Sequence, residues 1–209
     1  MTQRIRIAYE KGRELQYTGN LDMHKVWERT FRRAHLALAY SQGFHPQPKI
    51  QQAAPLPLGF TSRSEMLDVW LDEDEPIEAI TRKLLETIQP GITIRQITFI
   101  PQYDEALPNL VTAAIYLITP DDTLDHHQLQ AKIDHLLAVD TINRVRRGKP
   151  YNLRPLIRAL SIIEEDPLSI SMELSSLPSA TGRPEEVLEE LGIDPYKVDI
   201  ERSKLVFKQ

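Results

Sequence analysis

The chain has 209 residues, no cysteine and a formal net charge of −5 at pH 7, with 41% hydrophobic and 26% charged residues. That length allows one or two domains with real cores, and the lack of thiols removes any disulfide framework, cysteine-held iron–sulfur cluster or zinc ribbon. No apolar run approaches the roughly 20 residues of a membrane span and nothing resembles a signal peptide, so a soluble, cytoplasmic protein is expected.

In chain order, Arg4 to Ala8 alternates apolar and charged residues, as a half-buried strand does, with Lys11-Gly12 as a turn and Leu15-Gln16-Tyr17 as its continuation or return. After Gly19, Asn20 is placed to cap a helix whose stripe is Met23, Val26, Trp27, Phe31 and Ala34. The opposite face carries His24, Glu28, Arg32 and His35, with Lys25, Arg29 and Arg33 beside them. Residues 40–59 follow, a stretch dense in proline, glycine and apolar side chains. Tyr40, Phe44, Ile50, Leu56 and Leu58 alternate there with turn formers, so we read a rigid loop that packs. Shaped loops are where binding usually sits. The alternative is a stiff crossover between strands that contacts no ligand.

Met66 to Leu71 is a second clear strand, and Pro76 opens a helix burying Ile77, Ile80, Leu84, Leu85 and Ile88. Pro90-Gly91 stops it before a strand over Ile92 to Ile100. Strand, helix, extended pieces, helix and strand make the βαββαβ order of a ferredoxin-like domain. Pro101 to Asn109 reads as a linker, after which the order starts again. Val111 to Ile118 is a strand, Pro120 to Thr123 a turn and cap, and 124–138 a helix on Leu129, Ile133, Leu136 and Leu137. Thr141 to Ile163 is a basic extended region, Leu168 to Leu174 a strand, 183–191 a helix ended by Gly192, and Val198 to Phe207 the last strand. The expected fold is α+β: two ferredoxin-like halves packed together, at 1–102 and 109–209, with no visible sequence repeat between them.

Charge is unevenly spread. Residues 1–60 hold nine Lys/Arg against four Asp/Glu, and 140–160 hold six against Asp140 alone. Two basic islands in an acidic chain point to a polyanion site or to two solvated faces. Within the second island, Arg144, Arg146, Arg147, Lys149 and Arg154 surround Gly148 and Tyr151, a set that suits phosphates and a stacked base as well as it suits a surface hairpin. No histidine pair has metal-helix spacing, and no phosphate loop, dinucleotide fingerprint or nucleophile elbow occurs, so neither metal nor cofactor is expected.

The run Tyr40-Ser41-Gln42-Gly43-Phe44, with Pro46, Pro48-Lys49-Ile50, Pro55-Leu-Pro-Leu-Gly59 and Ser64-Glu65 before Asp68-Val69, resembles the radical-SAM-linked uncharacterised family, the DUF2344 domain. The resemblance opens at Thr18-Gly19-Asn20-Leu21-Asp22 and returns at 151–157 and 182–188. It implies a radical SAM partner protein and, through neighbouring ribonuclease G type and ribosomal protein genes, a connection with RNA. The family usually carries histidine where Asn20 stands, which favours binding over catalysis. It often carries aspartate where Asn152 stands, which would leave Arg154 the freer here.

The expected function is a non-catalytic accessory module directed to RNA or to its radical SAM partner. Contact residues would be Tyr40, Ser41, Gln42, Gly43, Phe44, His45 and Lys49 of the loop, Arg29, Arg32 and Arg33 of the helix, and Arg144, Arg146, Arg147, Lys149, Tyr151 and Arg154. One alternative is a metal-independent RNA endonuclease using His24 or His45 with Tyr40 or Lys49. Another is a protein–protein scaffold using Phe44, Leu56 and Leu58.

Overall fold

A computed structural model describes residues 2–120, 124–165 and 168–208. It is a mixed α+β structure that divides into two compact units, Met1–Leu110 and Val111–Gln209. The turn and cap expected at 121–123 lie outside the described residues. Among the described residues no helix is long and apolar enough to cross a membrane.

The first unit runs β1 (Gln3–Lys11), α1 (Asn20–Arg33), β2 (Ile50–Gln52), β3 (Thr61–Leu71), α2 (Ile77–Thr87), β4 (Ile92–Phe99) and the short α3 (Leu107–Leu110). Its strands pair antiparallel in the order β4-β1-β3-β2, with Ile5 opposite both Val69 and Phe99. Alternation sends Ile5, Ile7, Leu67, Val69 and Leu71 to one face, where Trp27 and Phe31 of α1 and Ile80 and Leu84 of α2 complete the core. Tyr9 meets Trp27 edge-on at 4.9 Å.

The other parity of the same strands places Arg4, Arg6 and Asp68 together. The Asp68 carboxylate has no exposed surface and accepts from Arg4 Nη2 at 2.6 Å and from Arg6 Nε at 2.7 Å. Arg4 lies 4.9 Å from the centroid of the Trp70 ring and also donates to the carbonyls of Asp104 at 2.8 Å and Glu105 at 3.1 Å. So the segment read as a linker is strapped to the first unit by a buried guanidinium, with Leu107 fully buried behind it.

Four local expectations are corrected. Gly19, not Asn20, is the N-cap of α1, and no side chain caps it. Leu15-Gln16-Tyr17 is not a strand: Arg13–Leu15 form a single 3-10 turn and 16–17 continue as turn. α1 ends at Arg33, with His35 left-handed at φ 52°, so His35 is not on the helical row of Arg32. Leu85, expected in the core, is 56% exposed because it lies beside the Ile80–Leu84 stripe of α2.

The second unit runs β5 (Val111–Pro120), α4 (His126–Ala138), β6 (Asn143–Arg146), β7 (Lys149–Asn152), β8 (Ile157–Glu165), β9 (Leu168–Leu177), β10 (Ala180–Thr181), α5 (Pro184–Leu191) and β11 (Val198–Phe207). The order is β11-β5-β9-β8, antiparallel throughout, with β10 on β9. Ile118, Ile170, Met172 and Leu174 form the sheet side of this core, and Leu129, Ile133, Val187, Leu188 and Leu191 the helix side. Asp125 caps α4 by accepting from the Gln128 amide at 2.7 Å, and Gly192 ends α5 at φ 73°. The β6–β7 hairpin is a separate two-stranded sheet inserted between α4 and β8.

Candidate functional site

The loop after α1 is built by backbone hydrogen bonds. The Ala39 amide donates to Trp70 O and the Trp70 amide to Lys49 O, at 2.8 and 3.1 Å, fixing both legs to the end of β3. Lys49 N to Ala39 O at 2.8 Å, the Tyr40–Pro48 bridge and Ser41 N to Gln47 O at 2.8 Å join the legs to each other. Ser41 Oγ accepts the Gln47 amide at 3.0 Å. Beyond this neck, Gln42, Gly43, Phe44, His45 and Pro46 form the tip, with Gly43 at φ 132°. Phe44 is 102% exposed. Tyr40, His45 and Lys49 are exposed as well. Phe44 was expected to pack; it projects into solvent because the neck satisfies the polar backbone without it.

The sequence treats 40–59 as one site, but β2 divides it. The neck is anchored at Trp70, whereas Gly59 is clipped at the other end of β3, donating to Gln16 O at 3.0 Å and accepting from Gln16 Nε2 at 2.7 Å. Lys11 Nζ braces that turn through the Thr18 carbonyl at 3.0 Å. From Ser62 to Trp70 the strand spans roughly 26 Å at about 3.3 Å per residue. The clip brings Tyr17, Leu21 and Leu58 to one end of the unit, 79%, 79% and 61% exposed. Leu56, offered as a contact residue, is instead core. The sequence reading assigns Tyr17 and Leu21 no contact role, although Leu21 is a lone apolar residue on the Lys25–Glu28–Arg32 side of α1.

Along α1, Arg29, Arg32 and Arg33 are exposed, Arg33 donating to Thr87 O at 3.0 Å, while His24 is half-buried. Among the described residues no three His, Cys, Asp or Glu side chains are grouped to hold a metal ion.

In the second unit the hairpin turns through Arg147 and Gly148, both with positive φ, the two-residue turn that matches strand twist. Its arginines face α5. Arg144 is ion-paired with Glu189 and, at 2.9 Å, with Glu190. Arg146 reaches Glu186 at 2.5 Å and Thr181 O at 2.9 Å, and its guanidinium lies 4.7 Å from the centroid of the Tyr151 ring. Bonding to Glu189 raises the Arg144 pKa against a smaller desolvation cost. For Glu186, burial works upward, but the bonds from Arg146 and Tyr151 and the charges of Arg146 and Arg183 outweigh it, leaving the carboxyl below its ordinary range. Burial pushes the Tyr151 hydroxyl up. Of the hairpin's cations, Arg147 and Lys149 are exposed.

Arg154, expected to be freer, is not. It donates to Leu137 O at 2.9 Å and Ile157 O at 3.1 Å, satisfying a carbonyl in the last turn of α4. Asn152 closes the hairpin base, its Oδ1 accepting from the Ile142 and Arg154 amides at 2.9 and 3.0 Å. Next to it, a concavity of about 540 Å³ is floored by Leu136, Val139 and Ile142 and rimmed by Lys132, His135 and Glu190.

A family model described as an uncharacterised protein conserved in bacteria (DUF2344) matches residues 4–184. No curated protein matches the chain. Among solved structures, the small subunit of acetolactate synthase from Thermotoga maritima is similar at 13% identity and a TM-score of 0.28, over 97% of this chain and 94% of that one. An unknown protein from Galdieria sulphuraria is similar at 11% identity and a TM-score of 0.30, over the full length of both chains. At those scores neither likeness bears on function.

Proposed function

The chain belongs to the DUF2344 family, and from that premise we propose that it is a non-catalytic accessory module that presents the 40–49 loop to a protein partner, the radical SAM protein that the family resemblance implies. Each unit is then one ferredoxin-like half, a reading supported by the fourth-first-third-second strand order of the first and by the same order of β5, β8, β9 and β11 in the second, with β6, β7 and β10 as additions. The observation that carries the function is Phe44: a neck closed by backbone bonds holds an aromatic ring wholly in solvent. Ordering such a loop in advance removes an entropic cost of binding, and a buried aromatic anchor is what dominates interface energies. Tyr17, Leu21 and Leu58 give the same unit a second apolar surface.

The test is capture of the radical SAM protein of the same organism by the tagged full-length chain. Phe44→Ala should weaken capture by about 2 kcal/mol or more, the level of an interface hot spot, without lowering stability. Unchanged affinity in Phe44→Ala would reject the loop as the contact. The endonuclease alternative rests on His45 and His24; RNA cleavage lost in His45→Ala with RNA binding intact would favour it.

A further inference from the structure

We propose that the β6–β7 hairpin is an RNA-binding arm that α5 holds closed, its acidic face occupying the two arginines that phosphates would otherwise engage. The hairpin is additional to the paired strands of the second unit and forms its own small sheet. Its base is fixed by Asn152 and by the Leu153 amide bonded to Ile142 O at 2.8 Å. Along its length, by contrast, α5 is held through side chains of three glutamates: ion pairs of Arg144 with Glu189 and Glu190 and of Arg146 with Glu186, and the Tyr151 hydroxyl on Glu186. The three glutamates stand at i, i+3 and i+4, one face of α5. Partly exposed ion pairs of this kind are individually weak and are screened by salt, so a polyanion can compete for both arginines.

What the clasp leaves open is a landing site. The turn presents Arg147, and Lys149 follows it, both exposed. Opening would add Arg144 and Arg146 to them; Arg146, which also donates to the Tyr151 hydroxyl at 3.1 Å, uncovers the ring face when a phosphate draws it away. Four cations around an aromatic ring fit a single-stranded RNA, whose phosphates take the cations and whose bases stack. An acidic protein segment would use the cations and leave the ring without a role.

The closed arm offers two cations and the open arm four. For single-stranded nucleic acid the slope of log affinity against log salt is about −0.7 per phosphate engaged, so the slopes should be roughly −1.4 closed and −2.8 open. The experiment measures anisotropy of a fluorescein-labelled oligouridylate with the full chain between about 50 and 200 mM KCl. The Glu186→Gln/Glu189→Gln/Glu190→Gln variant should bind roughly 10-fold tighter or more, with the steeper slope. Adding Arg144→Gln/Arg146→Gln to it should abolish that gain, and amide exchange in 143–152 should rise in the triple variant. Unchanged affinity and slope in the triple variant, or no binding by either protein, overturns the proposal whatever exchange shows. Equal affinity for a polyglutamate probe overturns the assignment to RNA. Capture through Phe44 is untouched by these changes, so the two proposals stand or fall separately.

Discussion

A carboxylate without exposed surface between two guanidinium groups, as Asp68 is, has replaced its lost hydration by four hydrogen bonds from Arg4 and Arg6. Its removal would leave the buried Arg4 without that partner, which costs roughly 3–5 kcal/mol in comparable pairs. Asp68→Ala should therefore lower unfolding stability by that order in urea titrations, and a loss below about 1 kcal/mol would contradict it. In the second unit two adjacent glutamates respond oppositely to pH. Burial raises the pKa of Glu185, whose Oε2 has no hydrogen-bond partner, so its ionised form opposes folding at neutral pH and the penalty fades on acidification. Glu186 is held below the ordinary carboxylate range, so its contribution is present above that range and is lost as pH falls through its depressed value. Glu185→Gln should raise Tm by about 1–3 °C at neutral pH, and the gain should shrink as pH falls through the carboxylate range; Glu186→Gln should lower Tm at neutral pH. Scanning fluorimetry across that range reads both signs.

Elements whose burial follows a period were legible. The stripe Met23–Trp27–Phe31 and the alternation around Leu67–Val69–Leu71 are set by spacing, and both appear in the core as read. Partners distant in sequence were not legible. Nothing local to Arg144 says that Glu189 lies across from it, and nothing in 101–109 announces a bond to Arg4. The tip of the 40–49 loop was misread for the same reason: apolar residues among turn formers look packed until the neck's hydrogen bonds are seen. Turns bind the elements of the first unit as tightly. Gly91, at φ 88°, accepts the Gly12 amide at 2.8 Å, and a Cβ there would meet Leu15 Cγ at 2.9 Å and Glu14 Cβ at 3.1 Å. Gly91→Ala combines strain with overlap and should cost about 1–3 kcal/mol in the same urea titration. A neutral result would mean that the 3-10 turn at 13–15 yields freely.

For the whole molecule, charge and apolar exposure separate into different duties. The formal charge of −5 conceals one basic island whose Arg144 and Arg146 are answered by the glutamates of α5, whereas Arg29 and Arg32 of the other stand exposed on α1. Among the exposed apolar groups of the first unit, Phe44 sits on the loop anchored at Trp70 and Leu58 beside the turn before Ser62, towards opposite ends of β3. Their anchors are roughly 26 Å apart along the strand, well beyond the 7–10 Å over which substitutions couple. If the radical SAM partner covers both ends, Phe44→Ala and Leu58→Ser should each weaken capture, and the double variant should lose the sum within about 0.5 kcal/mol. If only the loop is used, Leu58→Ser leaves affinity unchanged and the second surface serves another contact. Coupling well above that margin would mean that the partner, or β3 itself, links the two ends. The double-variant titration against the purified partner separates these cases.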